Sequence, residues 1–453
     1  MTKNIIYIVF TALVIFSCSD KSPSEPFDPT DDDGGIVQLT DEEMMDFTQR
    51  ETFKYFWNFA QTNSGAARER YIPGNPSQDQ NVVATGGTGF GLMSILVGIE
   101  RGYVSRAEAV TRLQTILNFL ENADRFHGAW PHWLNGTNGN IIPFSPQDNG
   151  GDIVETALLT QGLICVKEYF KNGSDAEIAL STQADELWKG VEWDWYTQGQ
   201  NELYWHWSPT NDFSINLQLT GYNETLIAFI LGAASPDYPI PAEVYHQGWA
   251  SNGDIVNANT QYGIPLVLKH GGSSQSSGPL FFSHYSALGL NPTNLSDQYA
   301  NYWDVGVNHS NINYQYCVTN PQGHTDYGPD CWGLTASYSR NGDGTLGYNA
   351  HHPGNDPGVI SPTAAISSIP YTPEKSLAAM HFFYSKGTLL RGPAGFYDAF
   401  SPEHNYWVAQ AYLAIDQGPQ IIMIENYRTG LLWNLFMQNE DVQNGLDTLG
   451  FTY

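Results

Sequence analysis

The chain has 453 residues, enough for a large core and, on length alone, for more than one domain. Only 15% of its residues are charged, yet 47 Asp and Glu against 19 Lys and Arg give a formal net charge of −28. A surface of that sign repels phosphate backbones and anionic membrane faces, so it argues against nucleic acid, disfavours polyanionic glycans and leaves neutral ligands unpenalised.

Reading from the start, Lys3 precedes an apolar run over residues 5–16 and then Ser17-Cys18-Ser19-Asp20. The run is too short to span a bilayer as a mature anchor, so residues 1–17 read as an export signal. Ile15-Phe16-Ser17-Cys18 resembles a relaxed bacterial lipobox with Cys18 as the lipidated residue, a plain signal peptide being the alternative. Residues 18–39, with Pro23, Pro26, Pro29 and Asp31-Asp32-Asp33, carry too little apolar content to fold and read as a tether. No linker composition interrupts residues 40–453, which are expected to form a single domain. The expected location is the cell envelope (periplasm or outer membrane), with membrane contact only through the anchor at Cys18. Of the remaining cysteines, Cys165 lies in an apolar helical run, whereas Cys317 and Cys331 are free or bridged, which spacing cannot decide.

The body reads as about a dozen helices, most in adjacent pairs, joined by elaborate loops. Apolar periodicity predicts helices over 41–62, 89–100, 105–123, 152–170, 175–192, 224–234 and 242–250. Further helices are predicted over 295–316, 362–368, 373–385, 403–415, 417–435 and 440–446. Ser105 and Glu108 form a capping-box start. Residues 128–144 and 202–219 alternate and contain turn residues such as Gly136-Thr137-Asn138-Gly139, so they read as β-hairpins riding on the helical body. Paired helices in one domain close into a toroid or stack as a solenoid, and the absence of a sustained period weighs against the solenoid.

One arrangement occurs twice. Trp130-Pro131-His132-Trp133 is followed about twenty residues on by Asp148-Asn149-Gly150-Gly151-Asp152-Ile153-Val154-Glu155-Thr156, and Trp205-His206-Trp207 is followed similarly by Gly221-Tyr222-Asn223-Glu224-Thr225. Aromatic rings beside carboxylates suit a sugar-cleaving site: the apolar faces of a pyranose pack on rings, while the scissile oxygen needs an acid and the attacking water a base. Asp152 and Glu155 are three apart at a helix start and share a face, with Asp148 just upstream; crowding would raise at least one pKa. The same spacing is also a capping box, and Glu224 also sits where a capped start is expected. Downstream, Asp398 lies in Phe396-Tyr397-Asp398-Ala399-Phe400, and Asp416 precedes Gln417-Gly418-Pro419 as either an N-cap or a general base. Trp332 sits in an aromatic loop behind Tyr327-Gly328-Pro329-Asp330-Cys331. Asn341-Gly342-Asp343-Gly344 has some calcium-loop character but lacks the rest of the spacing and reads as a turn, and His351-His352 is an isolated pair, so no catalytic metal and no cofactor are expected.

Taken together, Asp148-x-x-x-Asp152-x-x-Glu155-Thr156, Gly221-Tyr222-Asn223-Glu224, Asp330-Cys331-Trp332-Gly333-Leu334-Thr335-Ala336, Gly395-Phe396-Tyr397-Asp398-Ala399-Phe400 and Ile415-Asp416-Gln417-Gly418 resemble the bacterial glucoamylase-like proteins of glycoside hydrolase family 144, from about Thr40 to the C-terminus. The resemblance implies an all-α (α/α)6 toroid with β-hairpin loops around the cleft, no metal, and inverting hydrolysis of β-1,2-glucan rather than starch. It implies Glu224 as general acid, with the base among Asp416, Asp398, Glu155 and Asp152. The substrate-binding set is Asp148, Trp130, His132, Trp133, Trp205, His206, Trp207, Tyr222, Trp332 and Tyr397. Two other readings stay open. A non-catalytic glycan-binding surface lipoprotein needs aromatics but no converging acids. A polysaccharide lyase on a similar toroid, with Tyr222, His132 or His206 as base, needs an acidic sugar.

Overall fold

The computed structural model describes residues 37–453. The expected export signal, Cys18 and most of the tether lie outside the described residues. Leu39–Tyr453 forms one compact unit.

Its helices alternate between an outer and an inner layer. The inner helices are Thr85–Glu100, Ile153–Phe170, Leu226–Ala234, the short pair Phe281–His284 and Ser286–Leu288, Pro362–Ser367 and Ala414–Thr429. They are apolar nearly all round; in the first, every residue from Thr85 to Gly98 is buried. A helix without a polar face has to be covered on all sides. The cover is supplied by Asp41–Trp57, Arg106–Asn122, Asp175–Lys189, the π-helical turn Val244–Trp249, Tyr302–Thr319 and Pro373–Ser385. These outer helices bury one stripe and carry polar starts: Thr40 with Glu43, Ser105 with Glu108 and Ser174 with Glu177 are capping boxes. The last inner helix packs against the first, which closes the ring as an (α/α)6 toroid. The first two inner helices meet closely at Gly89 and Gly162, where an added Cβ on either would collide with the backbone of the other.

Small antiparallel sheets gather at the end of the toroid where the inner helices begin. Val82–Ala84, Trp133–Asn135 and Ile141–Ile142 form a three-stranded sheet in the region predicted as the first hairpin. The second predicted hairpin is mostly irregular; its strand His206–Trp207 pairs instead with Gly151–Asp152. The helix predicted over 403–415 does not form, and Ala414 and Ile415 instead begin the inner helix Ala414–Thr429. His404, Asn405 and Tyr406 take positive φ, and the β-favouring Trp407–Ala409 and Tyr412–Leu413 pair with Ala399–Ser401 and Arg70–Tyr71. The helix predicted from 295 starts at Tyr302, where Asn301 accepts the Asp304 N–H. Ala336–Arg340 and Leu346–Ala350 form a hairpin whose Asn341-Gly342-Asp343-Gly344 segment is a turn, Asp343 accepting from Thr345. Cys165, Cys317 and Cys331 are all free and buried. Among the described residues no helix is long and apolar enough to cross a membrane.

Candidate active site

At the end where the inner helices begin lies a cavity of about 420 Å³. Its lining comes from the starts of inner helices and from the sheets around them, so residues far apart in sequence converge there. Three carboxyl groups line it, Glu69, Glu155 and Glu224, between the aromatic side chains of Trp133, Phe144, Tyr285, Tyr338 and Tyr348.

The first wall is the start of Ile153–Phe170. Asp152 is its N-cap: Oδ1 accepts the N–H groups of Val154 and Glu155, both at 2.9 Å. Glu155 does not complete a capping box. Its Oε2 reaches across to accept the Gly86 N–H at 2.7 Å, at the start of the neighbouring inner helix. His132 bridges the two acids, with Nδ1 2.9 Å from Asp152 Oδ2 and Nε2 3.9 Å from Glu155 Oε1. Burial by itself would depress the imidazole, but Glu155, Asp152 and Glu69 outweigh it and push its pKa up to about 10, so it is a cation at neutral pH. Burial pushes the Glu155 carboxyl the other way, up to about 7, with Asp152 adding to burial and His132 and Gly86 opposing it.

The second wall is Glu224, just ahead of Leu226–Ala234. The Glu224 carboxyl meets its own N–H rather than capping the helix that follows. Asn223 Oδ1 accepts the Thr225 N–H, and Ser286 from the next inner element both accepts the Ile227 N–H and donates to the Glu224 carbonyl. Glu224 Oε2 is enclosed with no hydrogen-bond partner, and burial, with Asp152 adding to it, pushes the carboxyl up to about 7.

The third group lies behind the cavity. Asp416 is inside the first turn of Ala414–Thr429 rather than at its N-cap, which is Leu413. Its carboxyl meets that of Asp398; burial raises both, while the contact between them raises Asp416 further and opposes the rise of Asp398, so the two hold a proton between them. Asp398 Oδ2 accepts the Tyr338 N–H at 2.7 Å.

Of the other predicted residues, His132 and Trp133 line the cavity. Asp148 and His206 form a buried pair alongside, with 3.1 Å between Oδ1 and Nε2. Trp130 does not reach the cavity: fully buried, it donates its indole N–H to Leu120 O beneath Arg125. Trp332 is likewise core, donating to Lys375 O, and the Tyr222 hydroxyl is engaged with Ser283 at 2.9 Å. Tyr397 packs against Tyr412, and Trp205 sits beside His206; neither lines the cavity. Trp207 turns outward onto His127 and Trp195.

Sequence reasoning missed Glu69, Phe144, Tyr285, Tyr338 and Tyr348. Phe144, the last residue of the first hairpin region, stacks on His132 with 4.3 Å between ring centres. Tyr338 and Tyr348 were findable from the alternation around Asn341-Gly342-Asp343-Gly344; Glu69 carries no local signal. His132, Asp148 and Asp152 offer ligand atoms within 4.8 Å of one another, a spacing a metal ion would accept. The protonated imidazole already supplies positive charge to this group. Two acids raised to about 7, one of them beside a cationic imidazole, give the cavity the means to donate a proton at one wall and accept one at another.

A family model described as "Putative glucoamylase" matches residues 216–440. The chain is 44% identical over 434 residues to an exo-β-1,2-glucooligosaccharide sophorohydrolase (non-reducing end) of Parabacteroides distasonis, covering 91% of this chain and 58% of that protein's length. It is 53% identical to the endo-β-1,2-glucanase of Chitinophaga pinensis, solved with sophorotriose and glucose, with a TM-score of 0.89 over 92% of this chain and 99% of the other. The endo-β-1,2-glucanase of Talaromyces funiculosus, solved with sophorose, has the same fold at 13% identity, with a TM-score of 0.68 over 91% of this chain and 90% of the other.

Proposed function

Because the chain belongs to glycoside hydrolase family 144, we propose that it hydrolyses β-1,2-glucan and its sophoro-oligosaccharides with inversion at the anomeric carbon. The observation that carries this reading is the Glu224 carboxyl in the cavity wall, with an enclosed oxygen free of protein partners and a pKa near 7. Such a group is protonated at mildly acidic pH and has an oxygen left over for the glycosidic oxygen, as a general acid requires. Glu155 is the proposed base. It lines the same cavity, the Gly86 N–H fixes one of its oxygens, and the cationic His132 favours its ionised form. Water attacks the anomeric carbon while Glu155 takes its proton. The C–O bond breaks as Glu224 protonates the departing sugar hydroxyl.

A second assignment of the base has its own support. The buried Asp398–Asp416 pair, holding one proton, can take up another. The non-catalytic binder is disfavoured by the convergence of three carboxyl groups on one cavity, and the lyase by the acidity of that cavity, which repels an acidic sugar.

The test is product analysis of residues 40–453 incubated with linear β-1,2-glucan, amylose, β-1,3-glucan and β-1,4-glucan. Short β-1,2-linked products from the first alone, released as the α-anomer, are expected. A disaccharide as sole product marks exo action, and a mixed series marks endo action. An unsaturated product absorbing in the ultraviolet, or binding without cleavage, would refute the reading. The chain spans 58% of the length of the Parabacteroides relative, so its product pattern has to be measured on this chain itself. We further propose that the protein is exported and lipid-anchored at Cys18, supported by the lipobox-like Ile15-Phe16-Ser17-Cys18 alone. Metabolic palmitate labelling lost in Cys18→Ala tests it.

A further inference from the structure

Outside the catalytic cavity the protein carries a second concave feature, a groove of about 320 Å³ lined by Glu192, Asp194, Trp195, Gln198, Phe213 and Tyr238. Trp195 is 41% exposed and Tyr238 36%. The Trp195 indole is nonetheless held firmly. His127 stacks on one of its faces at 3.6 Å and an interplanar angle of 11°, and Trp207 meets it edge to face at 6.0 Å. With that face covered, the exposed part of the indole lies on its other face and edges. His127 is fixed in turn by Glu192 at 2.8 Å and has a left-handed backbone at φ 50, a conformation a residue with a side chain adopts only when its surroundings impose it. Gln198, also left-handed at φ 54, carries an enclosed side-chain Nε2 with no hydrogen-bond partner.

We infer that this groove is a second, non-catalytic binding site for a neutral glucan chain, with Trp195 as its stacking platform and Gln198, Glu192 and Asp194 as its hydroxyl partners. A rigid indole with one free face beside an unpaired amide donor and two carboxylates matches a polyhydroxylated ring that has apolar faces and polar edges. The carboxylates exclude anionic ligands. The groove is connected to the catalytic wall. His206 and Trp207 are adjacent in one strand, so their side chains point to opposite faces: His206 to Asp148, Trp207 to His127 and Trp195. The loop carrying Asp148 is tied to the segment after Trp207 by Ser208 donating to Asn149 Oδ1 at 2.6 Å and Asn149 donating to Thr210 at 2.9 Å. A polymer held on the platform is thereby retained next to the element that builds the active site.

The inference rests on the proposed β-1,2-glucan hydrolysis for the identity of the polymer. Its test separates the two. Trp195→Ala and Tyr238→Ala, each in a Glu224→Gln background so that polymer is not consumed, are run beside that background in native gels containing β-1,2-glucan. Retardation is expected to weaken about five-fold in each, the equivalent of one lost aromatic contact. In the active background KM for polymer should rise similarly, with kcat unchanged and a short β-1,2-linked oligosaccharide turned over as by the unsubstituted protein. Unchanged retardation and unchanged polymer KM in both variants, with cleavage intact, would overturn the platform. Loss of retardation in a protein that cleaves no β-1,2-glucan would support the platform while removing the hydrolytic reading.

Discussion

His132 stands 2.9 Å from Asp152, and that contact links an aromatic hairpin to the N-cap of an inner helix. The imidazole is positive because three carboxyl groups surround it, and its charge in turn holds Glu155 toward the ionised form. His132→Gln removes that charge, so the Glu155 pKa should climb above about 7. With Glu155 as base, the acid limb of the kcat/KM profile moves upward by about one pH unit and kcat/KM at pH 6 falls by nearly ten-fold, to about a tenth. A profile measured in several buffers checks this, and an unmoved acid limb would take the base role away from Glu155.

Glu224→Gln is expected to lower kcat on β-1,2-glucan by about 10²–10⁴-fold, the usual range for a lost general acid. It also has a consequence for stability. The folded carboxyl titrates near 7, above its ordinary 4.5, so the folded state holds this proton more tightly than the unfolded chain does. Its contribution is therefore neutral below the unfolded pKa and becomes destabilising as pH rises from there through about 7. The Gln variant should match the unsubstituted protein at pH 4 and be more stable by on the order of 3 kcal/mol at pH 8. Urea denaturation at the two pH values measures it; equal stabilities at pH 8 would mean the carboxyl is not held neutral.

The two candidate bases are separable by azide rescue. A small anion can replace a missing catalytic carboxylate and attack the anomeric carbon itself, leaving a glycosyl azide. Glu155→Gln should regain turnover with azide, whereas Asp416→Asn, whose carboxyl lies behind the cavity wall, should not. The opposite pattern would move the base to the Asp398–Asp416 pair.

The acids were legible because their signals are local. Asp152, Glu155 and Glu224 stand beside runs so apolar that only an inner helix can follow them, and Asp416 stands next to another. The aromatics were harder to place. Trp207 and His206 look equivalent in sequence, yet strand pairing with Gly151–Asp152 sends one outward and the other to Asp148. Glu69 reaches the site because Arg70–Tyr71 pairs with Tyr412–Leu413 at the far end of the chain, a register that no local pattern encodes. The fourth inner element escaped notice because Phe281–His284 is a single turn without its own side-chain cap.

Far from the cavity, at the C-terminal ends of the inner helices, Arg101 holds Glu425 with one guanidinium edge, Nε to Oε2 at 2.7 Å and Nη2 to Oε1 at 2.9 Å. This pair joins the first inner helix to the last, the seam at which the ring closes. The Glu425 side chain is 2% exposed, so removing Arg101 leaves a buried carboxylate without its counter-charge, held only by the neutral donors Gln49 and Thr429. Burial tends to raise the Glu425 pKa, but Arg101, Gln49 and Thr429 outweigh it and hold it below the ordinary range. The pair therefore stabilises the fold above the unfolded carboxyl pKa, and the contribution is lost as pH falls through the lower folded value. Arg101→Ala should cost about 3 kcal/mol at pH 7 and progressively less toward pH 3, while kcat at 25 °C stays within about two-fold because no cavity residue touches the pair. Denaturant midpoints across pH, read beside turnover, test both halves. A loss of stability that is constant with pH would mean that Arg101 acts by packing rather than by charge.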